Sequence, residues 1–165
     1  MENTELKFPN LQKVLIEYGQ AVADHYKNSL SSGEINASGE LYDSVRYITS
    51  FNGNKYEIDL NLKDYWKYIE YGTKPHWPPV DAILNWIKIK PVLPYPDKNG
   101  KLPTEKQLAY LIGRKISEEG TKAKNVLQNT IEQINQTYLD KIYDAIDKDL
   151  EGIAVVIMNN FTKSW

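Results

Sequence analysis

Three side chains set the search for chemistry in this sequence: His25, His76 and Glu70. The chain has 2 histidines and no cysteine, so carboxylates would have to complete any metal site, and no H-E-x-x-H or H-x-x-E-H spacing supplies them. His25 falls inside an amphipathic helical pattern and reads as a structural or surface residue. His76 sits in the stiff run Lys74-Pro75-His76-Trp77-Pro78-Pro79 without a second ligand nearby. Nucleophilic hydrolysis has no G-x-S-x-G elbow, and neither G-x-x-x-x-G-K-[ST] nor G-x-G-x-x-G offers a phosphate loop. Glu70 is the carboxylate to watch, because Tyr65, Trp66, Tyr68 and Tyr71 flank it. A glycosidase needs two placed carboxylates, and no second one follows from spacing. A hydrolase built on Glu70 or His76 would require a pocket pairing one of them with another titratable group. The expectation is no catalytic residue, no metal and no cofactor.

Nucleic-acid binding is the other chemistry in view. Between Asp97 and Lys124 stand Lys98, Lys101, Lys106, Arg114, Lys115, Lys122 and Lys124, against Asp97, Glu105, Glu118 and Glu119, a local excess of +3. Trp77 and Tyr110 are rings available for stacking on bases. The same residues fit a solvated helix face and ordinary core packing. A net charge of −2 and a pI near 5.7 are not the footprint of a protein that grips nucleic acid over its whole surface. The 12 tyrosines and 4 tryptophans are a heavy aromatic load, suited to half-buried positions in a small sheet or to subunit contacts. Without cysteine the chain depends on no redox compartment. No apolar run reaches the length of a membrane span. The start Met1-Glu2-Asn3-Thr4-Glu5 lacks the basic and apolar regions of a secretory signal. The protein is therefore expected to act without a membrane, in the cytoplasm where it is made or in a particle assembled there.

The positioning elements follow from periodicity. Leu11, Leu15, Tyr18, Val22, Tyr26 and Ser29 recur at helical steps from about Phe8 to Leu30, with Pro9 in the first turn and Ser31-Ser32-Gly33 as the stop. Residues Gly33 to Glu40 read as a loop. The period then becomes two: Val45, Tyr47, Thr49 and Phe51, then Tyr56, Ile58, Leu60 and Leu62, alternate with mostly polar residues around Asn52-Gly53-Asn54, a β-hairpin pattern. A short helix is expected from Asp64 to Gly72. A second helix is expected from Pro79 to Ile89 with Val80, Ile83, Leu84, Trp86 and Ile87 on its apolar face. Pro91 to Pro103 is an exposed loop. Thr104 and Gln107 form a capping box for a third helix, with Leu108, Leu111, Ile112 and Ile116 as its buried stripe and Gly120 ending it. The longest helix carries Val126, Leu127, Ile131, Ile134, Tyr138, Ile142, Ile146 and Leu150, and Gly152 is expected to interrupt it. Ile153 to Met158 either continues that helix or forms a terminal strand. Gly72-Thr73-Lys74 recurs as Gly120-Thr121-Lys122, an echo too short to be a repeat. The sum is a single α+β domain over residues 1–151, with an N-terminal helix, an antiparallel hairpin-based sheet, two middle helices and a long C-terminal helix, and a tail over 152–165. Tyr71, Gly72, Thr73, Pro75 and Pro79 are expected to form a shaped loop in which Gly72 takes a backbone conformation other residues resist.

The stretch Tyr65-Trp66-Lys67-Tyr68-Ile69-Glu70-Tyr71-Gly72-Thr73-Lys74-Pro75-His76-Trp77-Pro78-Pro79 resembles a segment of the tailed-bacteriophage head–tail joining and minor tail component family. Members carry a valine or isoleucine, glutamate, tyrosine, glycine, threonine segment, a proline-rich loop, and a helix opening on the prolines, here Pro79-Val80-Asp81-Ala82-Ile83. Leu108-Ala109-Tyr110-Leu111-Ile112-Gly113-Arg114-Lys115-Ile116 and Glu119-Gly120-Thr121-Lys122-Ala123-Lys124 are similar to the family's next helix and glycine–threonine turn. Ala37-Ser38-Gly39-Glu40-Leu41-Tyr42-Asp43-Ser44-Val45 is similar to its serine–glycine–x–leucine lead into the first strand. The resemblance spans residues 20–135; the 91–103 loop and the tail after Gly152 are not diagnostic of it.

The resemblance implies a non-enzymatic virion component at the neck, between portal and tail, assembled in the host bacterial cytoplasm. It implies a cyclic oligomer of about six or twelve copies, with the portal and neighbouring neck or tail proteins as partners and DNA passing through the lumen without sequence-specific binding. It marks Tyr65, Trp66, Glu70, Tyr71, Gly72, Thr73, Pro75, Pro79, Arg114, Gly120, Thr121 and Lys122 as a structural and interface set. Composition is compatible with this: exposed aromatics beside stiff proline loops lose little entropy on docking. The alternative is a small DNA- or protein-binding adaptor acting outside the virion.

Overall fold

Local signals build most of the elements. The computed structural model describes residues 7–32, 38–52, 55–90 and 92–163. Its order is α1 (Pro9–Ser32), α2 (Glu40–Ser44), β1 (Arg46–Asn52), β2 (Lys55–Asn61), α3 (Trp66–Tyr71), α4 (Val80–Ile89), α5 (Glu105–Glu119) and α6 (Val126–Lys163). The fold is α+β, with helices and, among the described residues, one two-stranded antiparallel sheet. The chain forms two compact units, one from Met1–Ser29, Ser44–Leu62 and Leu127–Trp165, the other from Leu30–Asp43 and Lys63–Val126.

In the first unit the hairpin follows its alternation. The pairs Tyr47↔Leu60, Thr49↔Ile58 and Phe51↔Tyr56 share the half-covered face, and the alternate residues are exposed. The rings of Phe51 and Tyr56 lie 5.5 Å apart, and Phe8 meets Tyr56 edge-on at 6.2 Å. The expected turn residues Gly53 and Asn54 lie outside the described residues, as do Gly33 to residue 37 of the expected first loop. At Gly19 helix α1 comes close to the sheet: a Cβ there would meet the Tyr47 ring at 2.7 Å and Ile58 at 3.2 Å. The approximately 1 kcal/mol that glycine loses inside a helix is offset by this approach. On α1, Val22 and Tyr26 of the expected stripe are buried and Leu11, Leu15, Tyr18 and Ser29 half-buried. The Tyr18 hydroxyl bonds Asn135 of α6 at 2.8 Å, and its ring meets Tyr138 at 5.7 Å.

Two features of α6 depart from expectation. Gly152 does not interrupt it; the helix runs 38 residues to Lys163, so Ile153 to Met158 continue it. The loss of about 1 kcal/mol at one exposed glycine is small against helical propagation through its neighbours. The second departure is Leu150, which is exposed, while Asp149 beside it is buried. Asp149 accepts from Asn10 N at 3.1 Å, Asn10 Nδ2 at 2.7 Å and Leu11 N at 2.9 Å. These amides belong to the first turn of α1, which opens on Pro9 after a phenylalanine that has no capping oxygen. A carboxylate 139 residues away does the N-cap's work and meets the positive end of the α1 dipole. Asp149→Ala is expected to lower stability by about 2–3 kcal/mol, since three part-buried donors lose a charged acceptor. Asp149→Asn, which keeps an acceptor, is expected to lose about half as much, both read from urea unfolding midpoints.

In the second unit the capping box at α5 is present: Gln107 N donates to Thr104 Oγ1 at 3.3 Å and Thr104 N to Gln107 Oε1 at 2.9 Å. The α4–α5 core contains Ile83, Ile87 and Ala109, with Leu84, Leu108 and Ile112 packed on it. The expected α5 stripe is corrected at Leu111, which is 53 % exposed, while Ala109 and Gly113 are buried. Small residues sit at the closest approach, where a Cβ on Gly113 would meet Ile83 at 3.3 Å. On α4, Val80 and Trp86 of the expected apolar face are exposed. The short helix α2 lies within the stretch expected to lead straight into the first strand. It is one turn set by Gly39 at φ 81° and the bond Asp43 N to Gly39 O at 2.9 Å, too short for a period to reveal. Helix α3 begins at Trp66, with Asp64 in the preceding turn, and Gly72 ends it as expected. In the proline-rich loop, Asp97 Oδ1 accepts from Asn99 N at 2.9 Å and Lys101 N at 2.8 Å, closing a tight turn. Leu93 and Tyr95 of that loop are about fully exposed, at 90 % and 93 %.

Candidate functional site

The two Gly-Thr-Lys tripeptides face each other. Each glycine ends a helix in the region near φ 70° with extended ψ: Gly72 at 69° and −168°, Gly120 at 72° and −161°. Only glycine enters this region without strain. The threonines that follow form an antiparallel bridge, with Thr73 N donating to Thr121 O at 3.1 Å and Thr121 N to Thr73 O at 3.2 Å. Their hydroxyls lie 3.1 Å apart. A Cβ on Gly72 would strike the Thr121 carbonyl oxygen, and one on Gly120 the Thr73 carbonyl oxygen. Beyond the bridge, Lys124 N donates to Ile69 O at 2.9 Å and Asn125 N to Glu70 O at 3.2 Å, supplying donors for carbonyls at the end of α3. Asn125 makes that turn at φ 50°, which asparagine tolerates better than most residues.

The proline loop is tied to the same block. His76 N donates to Ile116 O at 3.4 Å, and the ring of Trp77 lies 5.5 Å from Tyr110. Because a carbonyl only accepts, His76 Nδ1 is the donor in its 2.9 Å bond to Lys74 O. Tyr65 joins through Ser38 and the Leu41 backbone, which hydrogen-bond its phenol; burial pushes that phenol above its ordinary value, aided by the Glu40 carboxylate. Burial also raises the Tyr18 phenol in the other unit. A raised phenol is neutral in both folded and unfolded chains below about pH 10, so nothing is lost there. Above that, the unfolded chain ionises first and stability falls as pH rises through the folded values. The urea midpoint is expected to drop as pH rises above about 10, and less steeply in Tyr18→Phe and Tyr65→Phe.

The sequence-marked residues therefore divide. Tyr65, Gly72, Thr73, Gly120 and Thr121 make hydrogen bonds or close approaches in the bridge and its supports, and Trp66 packs against Tyr71, rings 5.9 Å apart. Pro75 and Pro79 are exposed on the loop between α3 and α4. Glu70 is buried at 3 % exposure. Arg114 is exposed and pairs with Glu118 at 2.8 Å, a contact that raises its already high pKa. Trp77 and Tyr110, rings suited either to stacking on bases or to packing within the fold, pack on each other.

Sequence reasoning missed a groove of about 530 Å³ beside the bridge. Its walls include Tyr68, Thr73, His76, Trp86, Lys90, Ile116, Thr121, Lys122 and Lys124, and no carboxylate. It holds His76 but not Glu70, so the two residues singled out for hydrolysis do not meet there. Among the described residues no group of three histidine, aspartate or glutamate side chains gathers for a metal ion. Tyr68 and Trp86 come from two helices and Lys90 directly follows the second, and only the fold brings them to Lys122 and Lys124.

No family model, no curated protein and no solved structure matches this chain. Function is thus argued from the chain's own surfaces. The second such surface is the end of α6, where Val155, Val156, Ile157, Met158 and Phe161 are all exposed. None of the described helices is long and apolar enough to cross a membrane.

Proposed function

We propose that this chain is a non-catalytic structural protein of a tailed-bacteriophage virion, forming a ring at the head–tail junction through which DNA passes. One observation carries the assembly part of this reading: near the end of α6 the large apolar side chains of Val155, Val156, Ile157 and Met158 are exposed. A cluster of large exposed apolar side chains is material for a contact with another chain. A heterologous contact repeated by rotation closes into a ring. The class of particle rests on the family resemblance of residues 65–79 and 108–124. The bridge supports that resemblance, because it joins these two segments, 48 residues apart at Thr73 and Thr121, into one block.

The test is the mass of the purified chain by light scattering, with negative-stain images of the same fraction and a search for the chain in purified virions. Rings of about six or twelve copies, with the chain present in virions, are expected. Absence from virions would overturn the structural reading.

A further inference from the structure

The groove beside the Thr73–Thr121 bridge combines two chemistries. Lys90, Lys122 and Lys124 line it without any carboxylate in its walls, in a chain whose acidic residues outnumber its basic ones, 22 to 20. None of the three lysines makes an ion pair among the described residues. The backbone carrying Lys122 and Lys124 is fixed by the bridge and by the Lys124 N to Ile69 O bond, so less order has to be imposed when an anion binds. Two aromatic side chains line the same groove and are exposed: Tyr68 at 64 % and Trp86 at 39 %.

An isolated phosphate has no use for the rings, and an aromatic ligand has no use for three ammonium groups. A nucleotide uses both. In a duplex the base faces are already stacked, whereas in a single strand they are open to side-chain rings. The groove's volume of about 530 Å³ lies within the usual range for a small-molecule site. We propose that this groove binds single-stranded nucleic acid, phosphates on Lys90, Lys122 and Lys124 and a base against Tyr68, which is more exposed than Trp86. The proposal does not rest on the ring reading, since every residue it uses belongs to one compact unit of one chain.

The test is fluorescence anisotropy of labelled single-stranded DNA and RNA 12-mers, and of the matched duplex, with the full chain. Single strands are expected to bind with a slope of log K against log salt of about −2, from three lysines at about −0.7 each. The duplex is expected to bind at least about tenfold more weakly. Tyr68→Ala is expected to weaken single-strand binding about 5- to 150-fold, the worth of one stacked base. Tyr68→Leu, which keeps apolar bulk without a π face, is expected to lose the same, and Tyr68→Phe to keep most of it. The double variant Lys122→Ala, Lys124→Ala is expected to bring the slope near −0.7, while Lys13→Ala leaves it unchanged. Equal binding of the duplex, competition by thymidine monophosphate as effective per nucleotide as the strand, or unchanged binding in the Tyr68 and lysine variants would each overturn the proposal. A preference between the DNA and RNA strands names the natural source, and either preference supports the site.

Discussion

Gly72→Ala and Gly120→Ala are each expected to destabilise the protein by about 3–5 kcal/mol, more than any other small substitution on its surface or loops. Two effects add. The backbone at both sites lies where a side chain is strained by about 1–3 kcal/mol. The new Cβ would also overlap the carbonyl oxygen of the opposite threonine, so the two bridge hydrogen bonds must break or lengthen, at about 1 kcal/mol each. The other glycines supply the controls. Gly100→Ala has open space and only the positive φ of 79° against it, so a loss of about 1 kcal/mol is expected. Gly152→Ala also has open space, in a helix interior, and is expected to stabilise by about 1 kcal/mol. Urea unfolding followed by circular dichroism reads all four. Wild-type-like midpoints for Gly72→Ala and Gly120→Ala would mean that the bridge contributes nothing to the fold.

The second large effect is expected on assembly. Val155→Glu and Met158→Glu, made together, should leave the chain folded and reduce its assembled mass to that of a monomer. Both residues are exposed in the single chain, so stability should change by no more than about 0.5 kcal/mol each. At an interface the same charges would be buried without partners, which costs about 3–5 kcal/mol per contact and weakens it about 150- to 4,000-fold. Light scattering and urea midpoints on the same preparations separate the two effects. Rings that persist with both charges in place would remove the end of α6 from the contact.

The parts of this protein legible in sequence are those whose cause is local. The capping box at Thr104 and Gln107 closes within four residues. The hairpin register follows from two alternating runs, because a slip of one residue would turn Tyr47, Ile58 and Leu60 outward. Helix-ending glycines at 72 and 120 are read from the pattern break. What escaped reading has partners far along the chain. Asp149 looks like any solvated carboxylate until α1 is laid beside α6. Leu111 and Ala109 are both credible stripe residues, and only the closeness of Ile83 and Trp77 selects the small side. Gly19 is the one signal that sequence offered and reasoning passed over: a glycine inside a strong helical pattern marks close approach.

The site divides in the same way. Sequence by itself determined the element types and order apart from α2 and the end of α6, the absence of cysteine chemistry, and the Gly-Thr-Lys echo, since each depends on residue type and short-range spacing. Only the tertiary structure decided that the two echoes pair across 48 residues, that Glu70 is buried, and that Lys90, Lys122 and Lys124 share a groove with Tyr68 and Trp86. The physical reason is that local backbone preference acts over a turn or two, whereas a bridge or a groove needs the packing of distant helices to bring its sides together.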